Sequence, residues 1–96
     1  MDRSLFLPAA TLDYEEAYDW YRARSERASA GFEAAVEHAL DQIIQAPDRW
    51  SRCDQRHRHH LLKKYPYSIV YRIEVDSILV VAVAHARRRF GYWKSR

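Results

Sequence analysis

The C-terminal tail, which runs from His85 to the end of the sequence, concentrates side chains that could carry chemistry. Cleavage of an RNA phosphodiester without a metal needs a base for the 2′-hydroxyl, cations for the phosphate charge and an acid for the leaving oxygen. His85, Arg88 and Tyr92 are the right types of group, and Arg87 and the pair Lys63–Lys64 could add cations. A lone histidine is as often structural, however, and His85 could instead hydrogen-bond the tail and fix its path.

The same tail could be a binding surface instead of a catalytic one. It combines three arginines with aromatic rings and is preceded in the chain by the Lys63–Lys64 pair. Arginine, tyrosine and tryptophan are enriched where proteins bind one another, and cations with aromatic rings also suit nucleic acids. The candidate partner-binding residues are Arg87, Arg88, Arg89, Tyr92, Trp93, Lys63 and Lys64. The alternative is that Trp93 folds back to cover the sheet and the arginines are solvated.

A histidine-rich run, His57-Arg58-His59-His60, lies close to Cys53 and invites comparison with a zinc site. On a strand, however, His57 and His59 share one face and His60 points to the other, so the four groups cannot converge. The sequence therefore predicts no metal, and we expect a polar, basic strand that discourages unwanted pairing.

Charge is divided unequally between the two halves of the chain. Residues 1–48 hold four Lys/Arg and ten Asp/Glu, a balance of −6, whereas residues 49–96 hold twelve and three, a balance of +9. Such a division suggests two faces with two different partners. The basic face would attract phosphate or an acidic protein surface.

Length and composition restrict the class of protein. The 96 residues predict one domain, 1–96, and with 48% apolar residues the chain can form a compact core. No apolar run reaches the roughly 18–20 residues of a membrane helix, and the N-terminus does not resemble a signal peptide. Cys53 is the only cysteine, which fits the reducing cytoplasm.

Two amphipathic helices should follow a short strand over residues 3–7. Apolar spacing predicts the first from about Ala9 to Arg24, with Pro8 in its first turn and Thr11 or Asp13 as the N-cap. Residues 25–31 are expected to form a turn. A second apolar stripe then runs from Phe32 to Ala46, where Pro47 ends the helix.

The second half of the chain predicts strands. Residues 48–55 are expected to be irregular, and strands follow over 58–64, 67–74 and 77–84. The segment Ile78–Ala84 is apolar on both faces, which predicts a central strand covered on both sides. The fold class is thus α+β: an N-terminal strand, then a helical hairpin packed on a small, mostly antiparallel sheet in the order βααβββ, with a basic aromatic tail.

Several motifs in this order resemble the RelE/ParE toxin superfamily, whose members are often labelled plasmid-stabilisation proteins. The resemblance covers about residues 7–93. It is carried by Leu7-Pro8-Ala9-Ala10, Asp19-Trp20-Tyr21, Ile43-Ile44-Gln45-Ala46-Pro47, Tyr65-Pro66-Tyr67-Ser68-Ile69-Val70-Tyr71-Arg72 and Val83-Ala84-His85-Ala86-Arg87-Arg88-Arg89-Phe90-Gly91-Tyr92-Trp93.

The resemblance implies a growth-arresting toxin that a cognate antitoxin wraps. RelE-type members cut mRNA on the ribosome, whereas ParE-type members poison DNA gyrase and have no established catalytic residues. Nucleases of the first type commonly carry an arginine where this sequence has Ser68, while Arg88 matches a C-terminal arginine of that group. We therefore favour a ParE-like gyrase inhibitor; the alternatives are an mRNA endonuclease using His85, Arg88 and Tyr92, or a non-toxic binding module.

The first helix carries more aromatic side chains than one buried stripe can hold. Ala17, Trp20 and Tyr21 should face the core, and Tyr14 and Tyr18, four residues apart, should share the flank. An antitoxin groove formed by Tyr14, Tyr18 and Tyr21 is the functional interpretation, and ordinary helix packing is the alternative. No cofactor and no membrane partner are expected.

Overall fold

The computed structural model describes residues 4–96, and it has an α+β fold, as expected. Its elements are β1 (Ser4–Phe6), α1 (Pro8–Arg22), α2 (Glu26–Gln45), β2 (Ser51–Arg52), β3 (Arg58–Leu61), β4 (Tyr67–Ile73) and β5 (Ile78–His85). The strands form one sheet in the order β1-β5-β4-β3-β2, in which β1 is parallel to β5 and the other pairs are antiparallel. The first residue of the predicted N-terminal strand, Arg3, lies outside the described residues.

The start of α1 agrees with the prediction within one residue, but its N-cap does not, and the start of α2 differs. Helix α1 begins at Pro8, which lies in the first turn as expected, directly after an extended Leu7, so neither Thr11 nor Asp13 is its N-cap. Helix α2 begins at Glu26 because the Ser25 side chain accepts the backbone N–H of Ala28 at 2.9 Å, an N-cap contact. The predicted turn over residues 25–31 was therefore too long, since most of it is helical.

Gly31 lies within α2 rather than in a turn. A Cβ at this position would be 2.5 Å from the Tyr65 hydroxyl oxygen. Glycine therefore allows the helix to approach the loop that precedes β4, and the sequence signal that suggested a turn reflects a close packing contact.

The strand boundaries in the second half agree within one residue for β4 and β5. The strand predicted over residues 58–64 ends earlier, at Leu61, because Lys64 has a φ of 71° and turns the chain towards β4. Lys63 and Lys64 therefore lie in an exposed loop. The two-residue strand β2, which pairs with β3, was not expected from the sequence.

The core on the helix-covered face is built around an aromatic cluster. Phe32 is fully buried, and the rings of Tyr14, Tyr21, Tyr65 and Tyr67 lie with their centroids 5.1–5.7 Å from its own. Aromatic pairs at such distances contribute roughly 0.5–1.5 kcal/mol beyond the apolar area that they bury. This cluster joins both helices to the start of β4.

Strand β5 is buried on both faces, as its apolar sequence predicts. Val80 and Val83 belong to the core beneath the helices, whereas Val81 and Ala82 pack with Trp93 on the opposite face. Trp93 is only 2% exposed, so the tail folds back over the sheet and covers the face that the helices leave open.

One edge of β5 is closed by side chains instead of a strand. Strand β1 pairs with β5 only as far as Val80. Beyond that point the Val83 N–H donates to Asp13 Oδ2 at 3.1 Å, and the Val81 carbonyl accepts from the Arg96 guanidinium at 3.1 Å. These contacts satisfy backbone groups that would otherwise offer an open edge for pairing. No helix in residues 4–96 combines the length and apolarity needed to cross a membrane.

Candidate functional site

A cleft of about 370 Å³ lies between α1, the end of β5 and the tail, and it contains the three predicted catalytic residues together. His85 is the last residue of β5, Arg88 follows the turn after it, and Tyr92 lies further along the tail. The opposite wall is α1, which contributes Asp13, Glu16, Ala17, Trp20 and Tyr21. The fold therefore brings a histidine, a cation and a phenol into one open cleft.

The hydrogen bonding of His85 limits what its imidazole can do. Its Nδ1 accepts the backbone N–H of Arg87 at 3.0 Å, and its ring lies edge-on to Tyr67 with centroids 4.9 Å apart. A neutral imidazole that accepts through Nδ1 carries its proton on Nε2. In this tautomer the nitrogen that remains available is Nε2–H, so His85 can donate a hydrogen bond but is not poised as a general base.

Tyr92 is held as a neutral phenol. Burial raises its pKa, and the nearby Asp13 carboxylate raises it further. The Arg88 guanidinium carbon lies 3.9 Å from the centre of the Tyr92 ring, within the range of a cation–π contact. Tyr92 can thus serve as a hydrogen-bond donor, but its surroundings oppose the phenolate form that a base requires.

Asp13 anchors the tail to α1. Its Oδ2 accepts from Arg96 Nη1 at 2.6 Å, and its Oδ1 from Arg96 Nη2 at 3.3 Å. The Asp13 side chain is 9% exposed and that of Arg96 is 19% exposed, so this bidentate pair is largely removed from water. The charge of Asp13 is therefore used in fixing the tail, and its position on the cleft wall is a consequence of that role.

The charges that line the cleft do not favour a phosphate group. Glu16 contributes one carboxylate against the single guanidinium of Arg88, and the Asp13 carboxylate on the same wall is already paired with Arg96. Stabilising a phosphoryl transition state needs several cations around the developing charge. The lining of the cleft provides one such cation, Arg88.

The remaining candidate partner-binding residues are distributed over two loops and the underside of the tail. Arg87 and Arg89 are exposed, as are Lys63 and Lys64. The two loops are adjacent, since the Ala86 N–H donates to the Pro66 carbonyl at 2.8 Å. Trp93 is different, because it faces the sheet and a partner could reach it only if the tail moved.

Ser68 lines a second cavity, of about 210 Å³, on the tail-covered face of the sheet. Cys53 and His59 also line it, and the cations that do so are Arg88 and Arg89 from the tail. The position that carries an arginine in the RelE-type nucleases thus offers a hydroxyl here.

The histidine-rich run has structural partners. His57 Nδ1 lies 3.0 Å from Asp54 Oδ1, and His60 Nε2 lies 2.8 Å from Gln42 Oε1 on the helix side. Burial, with a contribution from Asp54, raises the pKa of the Cys53 thiol to about 11, which disfavours the thiolate that metals bind. Residues 4–96 contain no group of three or more His, Cys, Asp or Glu side chains arranged to hold a metal.

The tyrosines of α1 divide between a groove and the core. Tyr14 stacks on Tyr18 with ring centroids 6.0 Å apart and lines a groove of about 360 Å³ between the helices. Burial, with a further contribution from the Glu33 carboxylate that also lines this groove, raises the pKa of Tyr14 to about 12. Tyr21 packs on Phe32 and Tyr65 instead, so it contributes mainly to the core.

Trp20 does not face the core, contrary to the prediction. It is 51% exposed, and the guanidinium carbon of Arg24 lies 3.3 Å from its ring centre. The buried stripe of α1 is completed by Ala10 and Ala17 with the half-buried Tyr14 and Tyr21, which leaves Trp20 at the rim of the cleft. An exposed tryptophan beside a cleft is typical of a protein-binding surface.

The α1 wall of the cleft was not expected from the sequence. Asp13, Glu16 and Trp20 follow the spacing i, i+3, i+7, which places them on one face of a helix. That spacing was visible in the sequence, but it identifies a functional face only once the tail is known to lie opposite.

The family model described as "ParE toxin of type II toxin-antitoxin system, parDE" matches residues 5–90. Among solved structures, a chain of "Chromosomal ParDE TA system from P. aeruginosa" is similar, with a TM-score of 0.75 and 14% sequence identity over 91% of this chain and 98% of that chain. At this identity the structural likeness shows the fold alone. No curated protein matches the sequence significantly. The family match confirms the resemblance inferred from the motifs.

Proposed function

This chain belongs to the ParE toxin family of type II toxin–antitoxin systems, and we propose that it arrests growth by binding DNA gyrase and is neutralised by a cognate antitoxin. Gyrase is the target that the resemblance to ParE-type toxins implies. The proposed activity is one of binding, with no covalent step at the cleft.

The composition of the cleft carries the proposal. His85, Arg88 and Tyr92 share it with Asp13, which is paired with Arg96, and with Glu16, so Arg88 is the one arginine or lysine in the lining and faces a carboxylate. His85 accepts a backbone N–H through Nδ1, and Tyr92 is held as a phenol. These features suit a surface that recognises a protein better than one that activates a 2′-hydroxyl beside a phosphate.

The proposed target surface is the exposed part of the tail together with the rim of the cleft. Arg87, Arg89 and Phe90 are exposed on the tail, and Phe90 is 65% exposed. Trp20 is exposed on the α1 side. Exposed arginine and aromatic side chains around a cleft are the residue types that dominate binding energy in protein interfaces.

Supercoiling by purified gyrase in the presence of the full chain tests the target. We expect the unmodified chain to inhibit supercoiling, and the double variant Arg87→Glu/Arg89→Glu to require at least about tenfold more protein, since charge reversal at an interface opposes association. Arg27→Glu, an exposed change on α2, is the control and should inhibit like the unmodified chain. Supercoiling that the unmodified chain leaves unaffected would exclude gyrase as the target.

For the antitoxin, we propose contact with the groove between the helices. Tyr14, Val36 and Leu40 give this groove an apolar floor, and Glu33 and Glu37 line it. A segment with apolar and basic side chains would complement it in shape and charge. The acidic balance of the helical half supports this assignment.

Hydrogen exchange with and without the antitoxin tests this contact. We expect protection in residues 9–46, and weaker binding of the antitoxin by Glu33→Lys/Glu37→Lys than by the control Glu15→Lys on exposed α1 surface. Unchanged exchange in both residues 9–46 and 57–84 would contradict the wrapping of this chain by its antitoxin.

A second candidate function is an mRNA endonuclease. The observation that favours it is that His85, Arg88 and Tyr92 line one cleft. The test is to map the ends of mRNA molecules in a translating extract that contains the chain. Cleavage that the chain causes and that His85→Gln/Tyr92→Phe abolishes would establish the nuclease, whereas intact messages would exclude it.

A further inference from the structure

A separate cavity of about 340 Å³ lies between the β2–β3 loop and the end of β4. It shares no lining residue with the cleft at His85 or with the cavity at Ser68. Its lining consists of Arg52, Asp54, Gln55, Arg56, His57, Arg58, Arg72, Ile73 and Glu74. Four arginines therefore line one cavity from two segments of the sheet, and one of them, Arg58, also donates to the Trp50 carbonyl at 2.7 Å.

The carboxylates in this cavity do not neutralise the arginines. Asp54 is engaged by its own loop, since its Oδ1 accepts the backbone N–H groups of Arg56 at 2.8 Å and His57 at 2.7 Å. Glu74 Oε2 lies 3.8 Å from Arg72 Nε, which is too far for a hydrogen bond. The lining keeps an excess of two positive charges, and within residues 4–96 Arg72 is the only one of its four arginines with a carboxylate oxygen within 4 Å.

Two buried nitrogen atoms at this cavity have no hydrogen-bond partner within residues 4–96. They are Arg72 Nε and His57 Nε2, and His57 is only 3% exposed. Leaving a buried polar group unpaired destabilises the folded state, and more so when the group is charged. An oxyanion in the cavity would accept the Arg72 Nε–H and remove this cost.

We propose that this cavity binds a phosphate group, carried either by a small molecule such as a nucleotide or by a nucleic-acid backbone. A phosphate has more acceptor oxygens and more charge than a carboxylate, and so can engage several guanidinium groups at once. The site is independent of the proposed contact with gyrase, because neither the tail nor α1 lines it.

Titration of the full chain with inorganic phosphate, followed by amide NMR shifts, tests the site. We expect saturable shifts in residues 52–58 and 72–74, competition by sulfate and none by chloride. Arg52→Gln/Arg56→Gln should weaken phosphate binding by about tenfold or more, since each removes a charge-assisted hydrogen bond. Both side chains are exposed, so the fold should survive.

Two further variants distinguish a specific phosphate site from non-specific attraction of phosphate to positive charge. Arg72→Lys keeps the charge but removes the Nε–H, and it should also weaken phosphate binding. Arg27→Gln on α2 removes one exposed charge elsewhere and should have no effect. Equal weakening by Arg27→Gln, or shifts confined to residues 87–89, would overturn the proposal.

Anisotropy of a labelled single-stranded oligonucleotide and of a labelled nucleotide distinguishes the two sources of phosphate. Tighter binding of the oligonucleotide, with a steeper loss of affinity in salt, would identify a nucleic-acid backbone. Equal affinities would identify a small phosphorylated ligand. Binding of an acidic peptide through these arginines, with no response to phosphate, would contradict the proposal.

Discussion

The two faces of the sheet are covered in different ways. On one face, α1 and α2 bury a continuous core in which Phe32 is surrounded by four tyrosine rings. On the other, the covering is mainly Trp93 over Val70, Val81 and Ala82. The first covering is made of two long helices, and the second is a short irregular segment.

The contacts that hold the helices and the tail on the sheet differ as well. The helices are held by apolar contacts throughout their length, whereas the tail depends on one indole and on the Arg96–Asp13 pair. A covering with few anchors can open locally at a lower free energy than the whole molecule unfolds. We therefore expect the helix-covered face to set the stability and the tail-covered face to be the adaptable part.

The largest effect should come from the helix-covered face. Phe32→Ala removes the fully buried centre of the aromatic cluster and should lower the free energy of unfolding by about 3–5 kcal/mol. Chemical denaturation followed by circular dichroism measures this. Trp20→Ala, an exposed aromatic change on α1, is the control and should cost under about 1 kcal/mol. Similar losses for the two variants would mean that the cluster is not the centre of the core.

On the tail-covered face, Trp93→Ala should cost less than Phe32→Ala. We expect about 2–3 kcal/mol, below the usual loss for a buried tryptophan, because the tail can detach without unfolding the helices. Hydrogen exchange should show lost protection in residues 81–96 and unchanged protection in α2. Phe90→Ala, on the exposed side of the tail, is the control. Global loss of protection in the Trp93 variant would remove the distinction between the faces.

A smaller effect is expected from the anchor of the tail. Asp13→Asn keeps an acceptor for the Val83 N–H but removes the charge that pairs with Arg96. The unfolding free energy should fall by about 1–2 kcal/mol, since the partly exposed guanidinium can turn towards water. Thermal melting measures the loss, and Glu16→Gln on the same helix should not reproduce it. An unchanged melting temperature would show that the pair does not fasten the tail.

The smallest expected effect is on the pH dependence of stability, and it involves His60, which lies beneath the helices. Burial lowers the pKa of His60 below its ordinary 6.5, and His38 and His59 lower it further. A base whose pKa is lowered on folding takes up its proton more readily in the unfolded chain. Acid therefore favours unfolding: the contribution of His60 to the free energy of unfolding is present above about pH 6.5 and is lost as the pH falls below that value. Between pH 8 and pH 5.5 the melting temperature of His60→Gln should therefore fall less than that of the unmodified chain. An equal fall would assign the pH dependence to other groups.

The contrast between the two faces of the sheet also explains which elements could be predicted from the sequence. The helix-covered face follows the periodicities that local patterns encode, and α2, β4 and β5 were placed from the spacing of their apolar residues. The errors arose where a single contact decides the structure. Gly31 looked like a turn residue, but its hydrogen atom leaves room for Tyr65.

The candidate site was harder to predict, because its walls come from opposite ends of the chain. His85, Arg88 and Tyr92 were identified as a group from the composition of the tail, but Asp13 was interpreted as an N-cap. Its actual contacts are with Val83 and Arg96, 70 and 83 residues away in sequence. Local patterns contain no information about such partners, so the position of Asp13 on the cleft wall became visible only in the fold.

The most direct test is to induce the chain in a bacterial host and to follow nascent DNA, message ends and protein synthesis together. A binding toxin that acts on gyrase should stop DNA synthesis first, cause filamentation and leave messages intact. His85→Gln should arrest growth as the unmodified chain does. Early loss of translation with messages cut inside codons, and its absence in the His85 variant, would contradict the account and place the chemistry at His85, Arg88 and Tyr92.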